Sequence, residues 1–146
     1  MSQPSASTAA IAAAPVRAAA DPAVSIVEAA RLLLPHLESG RRIDAATLRA
    51  AMESAFGASD ANGAWTWKTA YDTCEVATIL FLRRFGPAMR AKAPSPAAML
   101  LKLAKVTTLL PTHTRRSEES EALQQFSTPV ALGYATGCAT DCDGST

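Results

Sequence analysis

Apolar residues recur along this chain at helical spacing, and nowhere do they alternate over the length of a strand. The first periodic segment opens at Asp21-Pro22, where aspartate is a good N-cap and proline suits the first helical position. Val24, Val27, Ala30, Arg31 and Leu34 then fall at helical intervals. Pro35 lacks a donor and clashes one turn back, so the helix is expected to end or kink near Leu34, with Ser39-Gly40 closing the segment. Asp44 caps the second helix, flanked by Ile43 and Leu48 at the positions of a hydrophobic staple. Leu48, Ala51, Met52, Ala55 and Phe56 form its apolar face, and Gly57 ends it. Asp60 to Gly63 carries turn chemistry.

The third helix is predicted over 67–85, capped by Thr66 and stopped at Gly86-Pro87. Trp67, Tyr71, Cys74, Ala77, Phe81 and Phe85 make one stripe. Val76, Ile79, Leu80 and Leu82 extend it around the helix, as expected for a central element. A fourth starts at Ser95-Pro96 and runs to about Leu110, with Met99, Leu103, Val106 and Leu110 on one side. Ser117 caps a shorter one through Glu118, Glu119, Ala122 and Leu123. The pattern predicts an all-α fold, a small bundle of four to five helices.

Composition changes this picture at the N-terminus. Residues 1–20 hold nine alanines and one charge, Arg17, with few large apolar side chains to offset chain entropy. They read as a disordered Ala-rich tail and lack the basic start and leucine-rich core of a secretory signal. Residues 21–112 then form the helical bundle. The 146 residues are 49% apolar and 18% charged, the balance of a folded domain, and no apolar run reaches membrane-spanning length. A net charge of +1 is below that of a strongly basic nucleic-acid module. Three cysteines, Cys74, Cys138 and Cys142, are too few for a disulfide scaffold and point to a reducing, cytoplasmic compartment.

Most chemical motifs are missing. His36 and His113 have no Cys or carboxylate partner at metal-ligand spacing, and Cys138 and Cys142 form no CxxC pair, so no metal is expected. Neither GxxxxGK nor GxGxxG occurs. Of the arginine doublets, Arg115-Arg116 is followed at once by Glu118, Glu119 and Glu121. Arg41, Arg42, Arg83 and Arg84 are the candidates for a weak phosphate-backbone contact, though such doublets are more often solvated faces. Trp65 and Trp67, two apart before the buried helix, read as one core residue and one lid upon it, with base stacking the rarer role.

Gln124-Gln125-Phe126-Ser127-Thr128-Pro129 is more distinctive. Thr128 is a natural N-cap and Pro129 suits the first position of a helix continuing through Val130, Leu132 and Tyr134. Local physics alone reads an ordinary capped helix start. The Phe-Ser-Thr-Pro turn also resembles the one that precedes the cofactor-binding strand in adenine-N6 DNA methyltransferases. With its Thr114-Arg115-Arg116-Ser117-Glu118 lead-in, the string is similar to the N-terminal region of bacterial strawberry-notch-like proteins, which join a methylase-like domain to a superfamily-2 helicase-like ATPase. The likeness takes in Arg42, Ile43 and Asp44 through Phe56, Ala64 to Lys68 and residues 101–111, roughly 40–137 in all.

The resemblance implies that Phe126, Ser127, Thr128 and Pro129 border an S-adenosylmethionine pocket. The glycine-rich cofactor turn and the Pro-Pro-aromatic loop of the methyltransferases do not occur here, nor does a phosphate loop for ATP. Residues 113–146 therefore read as the truncated start of a methyltransferase-like segment. The expected protein is a non-catalytic helical N-terminal fragment with an accessory role on DNA, binding no cofactor by itself and partnered by the downstream methylase/helicase portion. The alternative is a complete small helical adaptor or DNA-binding protein. A third reading is an enzyme whose missing motifs come from a partner chain.

Overall fold

A computed structural model of the chain describes residues 21–111 and 128–140. Five α-helices, α1 (Pro22–Glu38), α2 (Ala45–Phe56), α3 (Trp67–Ala91), α4 (Pro96–Thr108) and α5 (Val130–Ala139), and one 3₁₀ turn (Asp60–Asn62) make up the regular structure of the described residues. The architecture is all-α, with no strand among the described residues. The Ala-rich N-terminal segment and the helix expected after Ser117 lie outside them.

Local signals set most of the helix starts. Side-chain oxygens of Asp21, Asp44, Thr66 and Ser95 accept from the backbone N–H of Ala23, Thr47, Thr69 and Ala98, at 2.8–3.2 Å. The bond from Thr47 holds the Asp44 carboxyl below the ordinary aspartate range. Neither proline ends its helix. α1 passes through Pro35 and ends at Glu38, where Ser39-Gly40 closes it as expected. Arg31, whose carbonyl loses its donor, and Pro35 are both exposed, so water can reach the vacated acceptor. Beyond the proline, Leu37 is buried and draws the last turn onto the core. The stop comes at Gly40, at φ 67°. Its N–H donates to the Leu37 carbonyl, while the N–H of Arg41 donates to that of His36 at 2.8 Å.

α3 likewise continues through Gly86 and Pro87 to Ala91. The freed carbonyl belongs to exposed Arg83, and half-buried Met89 gives the added turns a packing role. At the other end of the bundle, α4 stops at Thr108, slightly short of Leu110. The last turn tightens as the N–H groups of Leu109 and Leu110 donate to Val106 and Thr107.

The face that α1 buries is not the one its larger side chains suggest. Ser25, Ala29, Ala30, Leu33 and Leu37 are buried, whereas Val24 is 51% exposed and Arg31 faces water. The opposing face of α3 explains the rotation. It buries Ala70, Thr73, Cys74, Ala77, Thr78 and Phe81, a run dominated by small side chains. Small residues on both sides let the two helices approach closely, and α1 against α3 is the most extensive helix contact. Thr73 and Thr78 bury their hydroxyls by donating to the carbonyls of Thr69 and Cys74 at 2.8 and 2.9 Å.

The two helices run parallel. Glu38, the last residue of α1, pairs with Arg84 of α3, and the buried positions of α3 all precede Arg84. α2 fills the return path, with Leu48, Ala51 and Met52 buried in the same core. Ile43, on the α1–α2 connection, is fully buried. Its N–H donates to the Leu109 carbonyl at 2.7 Å and ties the end of α4 to this junction.

Ser25 is the exception to satisfied burial: its hydroxyl has no hydrogen-bond partner. Ser25→Ala is expected to leave stability unchanged or raise it by about 1 kcal/mol, because an unpaired buried hydroxyl is removed. Ala29→Leu, on the same seam, is expected to lower stability by about 1–3 kcal/mol through overpacking. Urea unfolding midpoints of the two variants should therefore move in different directions or, for the first, not at all.

The Cys74 thiol is pushed up to about 12, chiefly by burial and secondarily by the charge of Glu75. At pH 8 it is expected to resist iodoacetamide until the chain is unfolded, while exposed Cys138 reacts in the folded protein. Peptide mass mapping before and after denaturant reads both.

Candidate nucleic-acid interface

Charge is distributed unevenly between the two ends of this fold. Residues 21–75 carry five Lys/Arg against eight Asp/Glu, and residues 76–111 carry six Lys/Arg and no acid. Those six are Arg83, Arg84, Arg90, Lys92, Lys102 and Lys105, on the second half of α3, the following connection and α4. Because α1 ends opposite Arg84, the last seven residues of α3 run about 10 Å beyond it. α4 folds back along this projection, with the Lys102 Nζ 3.5 Å from the Met89 carbonyl. The result is a helical hairpin whose charges are all positive.

Of the four expected arginine contacts, the structure brings Arg41, Arg42 and Arg84 to one place, the junction at the end of α1. Arg41 and Arg42 are exposed there, and the Arg41 Nε donates to the Ser39 Oγ at 3.1 Å. Arg84 lies across the junction, 2.8 Å from the Glu38 carboxylate and over the Phe85 ring. Its charge is thus offset within the fold. Arg83 is its exposed neighbour on α3. Among the described residues, Arg41, Arg42, Arg83, Arg90, Lys92 and Lys105 form no ion pair. Exposed, unpaired cations of this kind are suited to the phosphate groups of a polyanion.

The lysines of α4, Lys92 and Arg90 are the residues that reasoning from doublets misses. Their signal is the absence of any acid over residues 76–111, which a net charge of +1 conceals.

The tryptophans sit elsewhere. Trp65 is buried and donates to the Ala58 carbonyl at 3.0 Å. Trp67 covers it edge-on at 5.7 Å, donates to Asp60 at 3.1 Å, and has the Arg49 guanidinium 5.4 Å above its ring. These contacts fasten the connection between α2 and α3. They lie at the start of α3, about 24 Å along the helix from Arg83.

Of the turn assigned to the cofactor, Phe126 and Ser127 lie outside the described residues. Thr128 and Pro129 are exposed. Pro129, rather than Thr128, is the N-cap of α5, and no side chain caps the helix. Its φ of −53° with ψ 135° lets the Pro129 carbonyl accept from Leu132 and Gly133, a geometry the proline ring already favours. α5 packs along α4, and Val130 shares a cavity with Arg90, which brings the start of α5 to the end of α3.

Among the described residues, no group of three His, Cys, Asp or Glu side chains is placed to hold a metal ion, and no helix is long and apolar enough to cross a membrane. No family model, curated protein or solved structure matches the chain.

The Glu38–Arg84 pair is largely exposed on its arginine side, so its contribution is small. Glu38→Gln is expected to cost under about 1 kcal/mol in urea unfolding. A larger loss would mean that this pair, rather than the small-residue seam, aligns α1 with α3.

Proposed function

We infer that this chain is the helical N-terminal part of a bacterial strawberry-notch-like DNA methylase/helicase and acts, without catalysis of its own, as a DNA-holding module. Kinship rests on the Gln124 to Pro129 string and its lead-in. The DNA-holding role rests on one observation: an acid-free helical hairpin with Arg41 and Arg42 at its base. The ligand is duplex DNA gripped by its phosphates. The hairpin offers cations, whereas the Trp65–Trp67 pair, the natural platform for unpaired bases, sits at the far end of α3 and is engaged in holding a loop. In the full-length protein the Phe126–Pro129 turn borders the S-adenosylmethionine pocket, and the downstream methylase/helicase portion supplies the remainder.

Fluorescence anisotropy with unrelated 20-base-pair duplexes tests the role. Binding near 10 µM at low salt, similar for each sequence and falling steeply as salt rises, is the expected result. Replacing Arg41, Arg42 and Arg83 together by alanine should flatten the log–log salt dependence by about 2–3. An unchanged slope, or single strands bound more tightly than duplex, would sink the proposal. Calorimetry with S-adenosylmethionine is expected to show no binding to this chain alone. Micromolar binding would remove the non-catalytic assignment.

A further inference from the structure

A broadly open cavity of about 600 Å³ lies where the projecting end of α3 meets α4 and α5. Its wall is made by Leu82, Pro87, Met99, Leu103 and Val130. Met99 and Leu103 are buried there, yet they stand apart from the main core. α5 closes the cavity without burying any residue of its own. The volume is in the range of small-molecule sites.

Two polar side chains reach this apolar space, Arg90 and Tyr134. Arg90 forms no ion pair among the described residues, and neither residues 76–111 nor 128–140 contain an acid to neutralise it. A guanidinium at the edge of an aliphatic wall matches one ligand chemistry, an alkyl chain ending in a carboxylate. The fork of the guanidinium takes both carboxylate oxygens, and the chain lies along leucine, methionine and valine side chains. A flat aromatic ligand is a poorer match, since Tyr134 carries the one aromatic ring among the described residues of the wall. The Tyr134 hydroxyl is held protonated above its ordinary range, first by its hydrogen bond with Cys138, which engages its one proton and leaves Arg90 as the donor to the carboxylate.

We propose that this cavity binds a medium-chain fatty carboxylate, with Arg90 on the carboxylate and the α3–α4–α5 wall around the chain. The site shares Arg90 with the cationic hairpin, but the apolar wall that defines it does not depend on the DNA-holding role. It also accounts for a helix, α5, that has no charged residue and no buried one: a bound chain adds apolar contact to that which α5 makes with α4.

The test is calorimetric titration of the full chain with decanoate below its micelle concentration, with decyltrimethylammonium as the charge-reversed probe. Decanoate is expected to bind one to one, and the cationic probe at least about tenfold more weakly. Arg90→Gln should weaken decanoate about tenfold or more, and Arg90→Lys by less. Gly133 lines the cavity and a Cβ there meets nothing within 4 Å, so Gly133→Leu, which adds apolar bulk at the lining, should weaken binding sharply. Far-UV circular dichroism confirms that each variant keeps its helices. Equal binding of the two probes overturns the proposal. So does unchanged affinity in Gly133→Leu, or the absence of decanoate binding up to about 1 mM.

Discussion

The close parallel contact between α1 and α3 is the constraint on which the rest of this fold depends. It is made of alanines, a serine, threonines and a cysteine, with Leu33, Leu37 and Phe81 toward its upper end. Such a seam gains less from apolar area than one of leucines. It gains from proximity, because dispersion and the exclusion of water both grow as two backbones approach. Close approach also makes the seam intolerant of added volume. Parallel alignment then obliges the chain to return between the two helices, and α2 performs that return, capped at Asp44 and stopped at Gly57.

From this alignment follows the asymmetry of the molecule. α1 is 17 residues long and α3 is 25. Paired through Glu38 and Arg84, they leave the end of α3 without a partner from the three-helix core. α4 supplies one by folding back, and the Ile43–Leu109 hydrogen bond returns the chain to the α1–α2 junction. The acid-free stretch of sequence is thereby gathered onto one projecting structure, with Arg41 and Arg42 at its foot. Charges that are scattered along 65 residues become a single surface.

Helix starts were legible residue by residue, since an N-cap is a local device: a side-chain oxygen satisfies an N–H two or three positions away. Asp21, Asp44, Thr66 and Ser95 act as their positions predict. The exception is Thr128, where the neighbouring proline takes the capping position. Helix stops at proline were misread for a related reason. Pro35 and Pro87 impose a local cost, and whether a helix bears it depends on what lies beyond, Leu37 within the core in one case and Met89 packed against it in the other. The face of α1 was misread because periodicity weighs Val24 and Leu34 above Ser25 and Ala29, although the opposing face of α3 is dominated by small side chains. Of the candidate site, the four arginines were visible as doublets. The loss of Arg84 to Glu38, 46 positions away, was not.

By itself, then, the sequence determined the all-helical class, the caps, the turn glycines, and an acid-free second half of the bundle, because each is decided by neighbours within a few residues or by composition alone. Tertiary structure decided which face of α1 is buried, how far α1 and α3 extend past their prolines, and which cations share a surface. Those outcomes turn on contacts between residues far apart in the chain, where a few kcal/mol of packing outweighs a local preference of similar size.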